Sequence, residues 1–255
     1  MNVEYHRHYS QALGHEMEFK VYGDRGQPIL VFPAQNGRFY DYENFGMVEA
    51  AMPLLEAGQI RLYTVDSVDW QSWTNQSVPP ADRARRHTDY DRYIMKEFFP
   101  ILREHSGSEI AWATGCSMGA FHSANFFFRH PDHFDGLLAL SGLYQVGGFT
   151  GDEGGMDAYY NSPLWYLKNM DDPWYLERYR RAKIVFAVGQ GRWEEECIRD
   201  TREMEQILKA KDIPAWVDYW GHDVDHDWPW WRKMLPYFLG KMLHGWGPRA
   251  GDGDG

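Results

Sequence analysis

The chain has 255 residues, of which 44% are hydrophobic and 25% charged, and its formal net charge is −11 with neutral histidines. These values are typical of a globular protein and exclude extensive disorder. The acidic balance disfavours nucleic-acid binding, which needs a concentrated basic surface, so no nucleic-acid partner is expected. No segment approaches the roughly 20 apolar residues of a membrane-spanning helix, so no membrane association is expected.

The N-terminal segment is polar and lacks the apolar run of a secretory signal, which predicts a cytoplasmic protein. The two cysteines, Cys116 and Cys197, have no metal-like spacing, and we expect both to be reduced. A chain of this length can bury one large core, so residues 1–246 are expected to form a single domain. Residues 247–255 are mostly Gly and Asp and are expected to be a disordered tail.

Short β-rich segments alternate with longer helical patterns along the chain. This alternation predicts an α/β fold with a mostly parallel central sheet and helices on both faces. Helical spacing of apolar residues extends from Tyr90 to Leu102 and from Ile198 to Leu208, and a further helix is expected from just after Gly119 to about Arg129. The predicted strands are Met17 to Tyr22, Ile29 to Pro33, Ile60 to Asp66, Ile110 to Thr114, Gly136 to Leu140, Ile184 to Val188 and Ala215 to Trp220.

Two segments stand apart from this alternation. Residues 144–172 are rich in Gly and Asp and are predicted to form a short lid or cap inserted over a site. The second segment is a basic cluster, which adjoins several aspartates and is interpreted mainly as a solvated helix start, with a site for a substrate carboxylate as the alternative. Its members are Arg83, Arg85, Arg86 and His87.

The most informative motif is the G-x-S-x-G sequence at residues 115–119, which follows an apolar strand and precedes a helix. This setting is typical of a nucleophile elbow, a sharp turn that holds a serine in a strained conformation between close-packed glycines. Ser117 is therefore the predicted nucleophile, and a structural serine in a glycine-flanked turn is the alternative. His122, on the following helix, is interpreted as a core residue or as a residue that supports the site.

A serine nucleophile needs a base, which this order of elements places after the last strand. His222 and His226 both lie there. We favour His226 because Asp227 begins the final helix and would hold the loop directly behind the imidazole. The His and Asp residues of this segment also suggest a metal site, but they match no zinc signature, and we expect neither a metal nor a cofactor.

The acid that orients such a base is expected after the penultimate strand, which leads into a run of three glutamates. Glu194 is favoured because it is the first acid in the turn, and Glu195 is the alternative. Whichever of the two is not the acid is interpreted as a charge at a helix N-terminus. The order Ser117, Glu194, His226 matches the chain order of α/β-hydrolases.

Two backbone amides are predicted to stabilise an oxyanion. One belongs to Met118, and the other, in the loop after the strand Ile29 to Pro33, is assigned to Gln35. Asn36 is interpreted as a residue that shapes the turn. Trp70 and Trp73 follow the carboxyl end of another strand and are predicted to wall a substrate pocket, with a core role as an equal alternative.

These residues resemble the putative-esterase branch of the α/β-hydrolases, which includes esterase D, S-formylglutathione hydrolases, enterochelin esterases and the mycolyltransferases. The resemblance covers roughly Met17 to Leu239 and implies an α/β-hydrolase fold with Ser117 as nucleophile and His226 as base. It rests on the motif at 115–119, on His130-Pro131, on Leu140-Ser141-Gly142 and on the segment His226 to Trp231.

The sequence departs from the family pattern at two places. Phe32-Pro33-Ala34 stands where hydrolases commonly have His-Gly, and glutamates stand where an aspartate is expected. The predicted function is a serine esterase that cleaves a small-molecule carboxylic ester, preferably neutral or cationic given the negative charge, through an acyl-serine intermediate. Acyl transfer to an alcohol and a catalytically silent binding protein are the alternatives, because the fold alone separates none of these.

Overall fold

The computed structural model describes residues 1–245, so the predicted tail at 247–255 lies outside the described residues. Within residues 1–245, eight strands form one sheet. Their bounds are Val3–Ser10 (β1), His15–Tyr22 (β2), Gln27–Phe32 (β3), Ile60–Val65 (β4), Ala111–Cys116 (β5), Phe134–Leu140 (β6), Lys183–Val188 (β7) and Trp216–Tyr219 (β8). The strand order is β1-β2-β4-β3-β5-β6-β7-β8.

Helices connect the strands and cover the sheet. The α-helices are Asp41–Asn44 (α1), Met47–Ala50 (α2), Met52–Glu56 (α3), Pro80–Tyr93 (α4), Phe99–Ser106 (α5), Met118–Arg129 (α6), Gly147–Thr150 (α7), Gly155–Tyr160 (α8), Pro163–Tyr166 (α9), Pro173–Arg181 (α10), Glu195–Ala210 (α11) and Trp228–His244 (α12). A π-helical turn, Ile94–Phe98, joins α4 to α5, and 3-10 turns form at Asp69–Gln71 and Leu167–Asn169. No helix in the described part of the chain combines the length and apolar character needed to cross a bilayer.

The sheet is parallel from β4 to β8, and only β1 and β2 run antiparallel to their neighbours. Successive strand residues face opposite sides, so β3 sends Leu30 and Phe32 into one core and Ile29 and Val31 into the other. The predicted alternation of strands and helices on both faces is confirmed. Because the carboxyl ends of parallel strands meet at one edge, the loops after β3, β4, β5, β7 and β8 converge there.

The sequence prediction omitted β1. This strand pairs with β2 along its whole length, from Val3 opposite Tyr22 to Ser10 opposite His15. Alternate side chains of β1 remain exposed, and Tyr5 and Tyr9 are among them. The strand was not recognised because an edge strand with one solvated face carries little apolar signal.

The interpretation of the basic cluster as a solvated helix start is wrong for two of its members. Arg83 and His87 are buried in α4, whereas Arg85 is exposed. The Arg83 guanidinium donates to the carbonyl oxygens of Val78 at 3.0 Å and Phe149 at 2.9 Å. Because Phe149 belongs to the segment 144–172, that segment packs against α4 and removes part of the cluster from solvent.

His87 is expected to make the stability of the protein depend on pH. Its ring lies between Trp73 and His122, with centroid distances of 4.9 and 5.2 Å. Burial, with a smaller contribution from His122, lowers the pKa of His87 well below its usual range. The unfolded chain therefore binds a proton near pH 6.5 that the folded chain does not, so the stability of the fold decreases as pH falls below this value.

We expect His87→Phe to weaken the dependence of the unfolding free energy on pH, because phenylalanine retains a planar ring in the aromatic cluster but binds no proton. The slope of the unfolding free energy against pH should decrease by about 1.4 kcal/mol per pH unit below pH 6. Urea unfolding at a series of pH values measures the slope. The matched control is His222→Gln, because His222 is exposed. A His87→Phe variant with the wild-type slope would contradict the assignment.

Candidate active site

Ser117 occupies the sharp turn between β5 and α6. Its backbone has φ 58° and ψ −121°, a conformation that is costly for a residue with a side chain. A Cβ atom added to Gly115 would lie 2.4 Å from the backbone of Gly119, and one added to Gly119 would lie 2.3 Å from the carbonyl oxygen of Phe32. Only glycines allow β5, the start of α6 and the end of β3 to approach this closely.

Met118 is the first residue of α6, and Gln35 lies in the exposed loop after β3. In the part of the chain that the structure describes, no acceptor receives a hydrogen bond from either backbone amide. The next amide in the loop, that of Asn36, instead donates to the Asp69 carboxylate at 3.1 Å. The amides of Met118 and Gln35 are therefore available for an external acceptor.

His226 lies between Ser117 and Glu194. Its Nε2 is 2.8 Å from the Ser117 hydroxyl oxygen, and its Nδ1 is 3.0 Å from Oε2 of Glu194. Because a carboxylate only accepts hydrogen bonds, Nδ1 carries the proton and Nε2 is left to accept one from the serine hydroxyl. The structure thus brings together the three side chains that the sequence placed 109 and 32 positions apart.

The loop that carries His226 is held from two sides. The His226 amide donates to the carbonyl oxygen of Arg192 at 3.0 Å, and the Arg192 side chain binds Asp225 through two nitrogens at 2.7 and 2.9 Å. On the other side, the Trp231 ring meets the imidazole edge-on, with a centroid distance of 4.9 Å. His222, the alternative base, is exposed.

Glu194 is fully buried. Its Oε1 accepts a hydrogen bond from the Ser141 hydroxyl at 2.6 Å and one from the Gly189 amide at 3.3 Å, which leaves Oε2 for His226. The Trp231 indole nitrogen in turn donates to Ser141 at 3.1 Å. Glu195, the alternative acid, is exposed at the first position of α11.

Both cysteines are buried near the site, and neither is in a disulfide. Burial raises the pKa of the Cys116 thiol well above its usual value. Burial, reinforced by Glu194, also raises the pKa of Cys197, whose Sγ lies 3.8 Å from Nδ1 of His226. A thiol must ionise to attack a carbonyl efficiently, so the environment favours Ser117 as nucleophile.

Two groups of side chains within residues 1–245 are close enough to hold a metal ion. One consists of Glu4, His6 and His105, and the other of Glu194, Cys197 and His226. The second uses residues whose mutual hydrogen bonds already account for their positions. His222, Asp223 and Asp225, which the sequence suggested as further ligands beside His226, belong to neither group.

A family model described as Putative esterase matches residues 10–242. The chain belongs to the putative-esterase family. This match spans β2 to α12, and it therefore includes the three hydrogen-bonded side chains and both free amides. A comparison with curated proteins finds no match.

Solved structures similar to this putative esterase cover nearly its whole length. A ferulic acid esterase has a TM-score of 0.75 at 16% identity, with 95% of this chain and 97% of that chain covered. The serine hydrolase FphF of Staphylococcus aureus has a TM-score of 0.72 at 14% identity, with 95% of this chain and 98% of that chain covered. An S-formylglutathione hydrolase from Agrobacterium tumefaciens has a TM-score of 0.73 at 14% identity, with 96% of this chain and 95% of that chain covered. Together with the strand order, these similarities show the α/β-hydrolase fold.

The two tryptophans that the sequence assigned to a pocket wall lie in different environments. Trp70 is 58% exposed, whereas Trp73 is fully buried against His87, Phe121 and Phe149. For Trp73 the structure therefore supports the core role that the sequence left open. Trp70 remains a candidate for contact with a ligand.

Sequence reasoning missed two residues of the putative esterase that contact the site, Ser141 and Asp69. Ser141 directly follows the carboxyl end of β6, and Asp69 lies a few residues after the carboxyl end of β4. That position is a signal for both residues, and Ser141 also stands in Leu140-Ser141-Gly142, one of the motifs that carry the family resemblance. His122, interpreted as a core or supporting residue, is buried and lies 2.9 Å from Asp69.

Proposed function

We propose that the chain is a serine hydrolase that cleaves a carboxylic ester through an acyl-serine intermediate. The observation that carries this proposal is the unbroken hydrogen-bond chain from the Ser117 hydroxyl through both imidazole nitrogens of His226 to Glu194. Membership of the putative-esterase family supports the same class of reaction.

In the first half of the reaction, the Ser117 oxygen attacks the ester carbonyl carbon while Nε2 of His226 takes the serine proton. The carbonyl oxygen becomes an oxyanion, which the amides of Met118 and Gln35 stabilise, each by about 3 kcal/mol in the transition state. His226 then gives its proton to the leaving alcohol. The products of this half are the free alcohol and an acyl group on Ser117.

In the second half, water attacks the acyl group and His226 takes a proton from it. A second oxyanion forms and collapses, so that the carboxylic acid leaves and the proton returns to Ser117. During both halves Glu194 holds the imidazole in one tautomer and stabilises its positive charge. Because Glu194 is fully buried, its effect on the imidazolium is little screened by water.

An aromatic surface and the net charge of the protein indicate the class of ester. Exposed Trp70 offers an aromatic surface near the end of β4, and the net charge of −11 favours a neutral or cationic ester over an anionic one. The similar structures are named for a feruloyl ester and for S-formylglutathione, two different acyl groups. We therefore propose the class of ester and not a particular acid.

The test is rapid mixing of the protein with a chromogenic ester, followed by mass mapping of the acylated peptide. We expect a burst of alcohol equal to the enzyme concentration and an acyl group on Ser117. A wild-type protein that gives no burst and does not react with a fluorophosphonate would refute the proposal and favour a silent binding protein. Added alcohols that yield more ester than acid would instead favour acyl transfer.

A further inference from the structure

Asp69 makes contacts that the proposed reaction does not use. It is fully buried in the 3-10 turn that follows β4, and both of its carboxylate oxygens are engaged. Oδ2 accepts the hydrogen bond from the amide of Asn36 at 3.1 Å, and Oδ1 lies 2.9 Å from Nε2 of His122. A buried carboxylate is costly unless it is paired in this way, so a simple packing role would not require an acid.

The first contact fixes the loop after β3. Asn36 has φ 56°, in the left-handed region, which asparagine adopts more readily than most residues with a side chain. The hydroxyl of Thr74 contacts Oδ1 of Asn36 at 2.7 Å and the carbonyl oxygen of Asp69 at 2.9 Å. The hydrogen bond to the Asn36 amide holds the peptide plane that adjoins Gln35, which restricts rotation of the Gln35 amide.

The second contact fixes the same carboxylate to α6. His122 lies four residues after Met118 on this helix, so a rigid helical turn connects the two residues. Asp69 therefore binds the loop that carries one proposed oxyanion donor and the helix that carries the other. We propose that Asp69 is a positioning residue that sets the spacing between the amides of Gln35 and Met118.

This inference rests on the proposed function, because it assumes that both amides bind the oxyanion. Such donors act only when they lie about 2.7–3.1 Å from the oxygen. Loss of the carboxylate would free the loop to turn the Gln35 amide away. The attack by Ser117 would then be slowed although Ser117, His226 and Glu194 remained in place.

The chain contains a matched control, an aspartate of α4 that contacts the other end of α6. Asp91 is buried and lies 2.8 Å from Nε2 of His130 and 3.1 Å from the Arg129 guanidinium, at the carboxyl end of α6. Asp91→Asn and Asp69→Asn thus make the same chemical change at two buried aspartates, each paired with a histidine. Of these two aspartates, Asp69 contacts the loop after β3 and Asp91 does not.

The experiment compares KM and kcat for the wild type and both variants. The kcat values are calculated from the concentration of active sites, which is titrated with a fluorophosphonate. We expect Asp69→Asn to lower kcat about 10- to 100-fold with little change in KM. Asp91→Asn should reduce thermal stability and leave kcat per active site within about twofold of the wild type. The pH profile of kcat should be the same in all three proteins, because the base and its acid are untouched.

A thionoester substrate separates positioning from general damage. Its tetrahedral intermediate carries charge on sulfur, a weaker hydrogen-bond acceptor, so aligned amides contribute less to its cleavage. The loss in Asp69→Asn should therefore be several-fold smaller with the thionoester than with the matching ester. Equal losses with both substrates would overturn the inference, and so would an unchanged kcat.

Thr74→Val keeps the test decisive if Asp69→Asn does not fold. This variant lacks the hydroxyl that contacts Asn36, so its kcat should fall less than that of Asp69→Asn. The loss of kcat should again be smaller with the thionoester than with the ester. An unchanged kcat in Thr74→Val would then overturn the inference. An inactive, unlabelled wild type would instead show that the proposed function is wrong. An active wild type with an equally active Asp69→Asn would refute only the role of Asp69.

Discussion

Ser117→Ala is expected to lower kcat for ester cleavage by about 10⁴- to 10⁶-fold, because the variant lacks the hydroxyl on which the proposed acyl intermediate forms. Buried Glu194 forms one end of the hydrogen-bond chain, and the Ser117 hydroxyl forms the other. Cys116, its neighbour in sequence, cannot replace it because burial raises the pKa of that thiol. Steady-state kinetics and fluorophosphonate labelling both measure the loss.

The control for this variant is Ser123→Ala. Ser123 is a buried serine on α6, the helix that follows Ser117, and its hydroxyl donates to the carbonyl oxygen of Ala120 at 3.0 Å. It should keep wild-type kcat and labelling. Thermal unfolding of Ser117→Ala should stay close to that of the wild type, because alanine keeps the same backbone conformation and only the hydrogen bond to His226 is lost. A Ser117→Ala protein that retains labelling would place the nucleophile elsewhere.

Glu194→Gln is expected to lower kcat by about 10³- to 10⁴-fold with a small change in KM. The amide keeps the size of the carboxylate but cannot stabilise the imidazolium that forms when His226 takes the proton. It can also present an N–H to Nδ1 and so favour the wrong tautomer of the imidazole. The kcat of the purified variant, corrected for the titrated active-site concentration, measures the effect.

Glu195→Gln is the matched control for the acid. Glu195 adjoins Glu194 but is exposed at the start of α11, so it should change kcat less than about twofold. Comparable losses in the two variants would mean that negative charge in the whole glutamate run supports catalysis. A larger loss in Glu195→Gln would reverse the assignment of the acid.

The sequence alone was sufficient to predict the fold and the sharp turn that holds Ser117. Alternating strand and helix patterns depend on local composition, which predicts a parallel sheet with covered faces. The nucleophile turn is also local, because it needs a buried strand, two glycines and a helix start within a few residues. The strand β1 was missed because a half-exposed edge strand has few apolar residues to mark it in the sequence.

The choice between neighbouring candidates required the tertiary structure. His222 and His226 lie on one loop and Glu194 and Glu195 on one turn, so their sequence positions distinguish them poorly. In the structure, contacts from Arg192 and Trp231 turn His226 inward, and the end of β7 buries Glu194 while Glu195 stays exposed. Such contacts depend on the packing of loops and not on the identity of the candidate residue.

The surroundings of the site were decided entirely by the tertiary structure. Asp69 and His122 are 53 positions apart, and so are Ser141 and Glu194, yet each pair is hydrogen bonded. No spacing rule relates these residues, because a parallel sheet brings distant strand ends to a common edge. From its sequence this protein was predictable as an α/β-hydrolase with Ser117 in a sharp turn between a strand and a helix, because those signals are short-range. Which side chains surround that serine was decided by long-range packing, which no short-range pattern encodes.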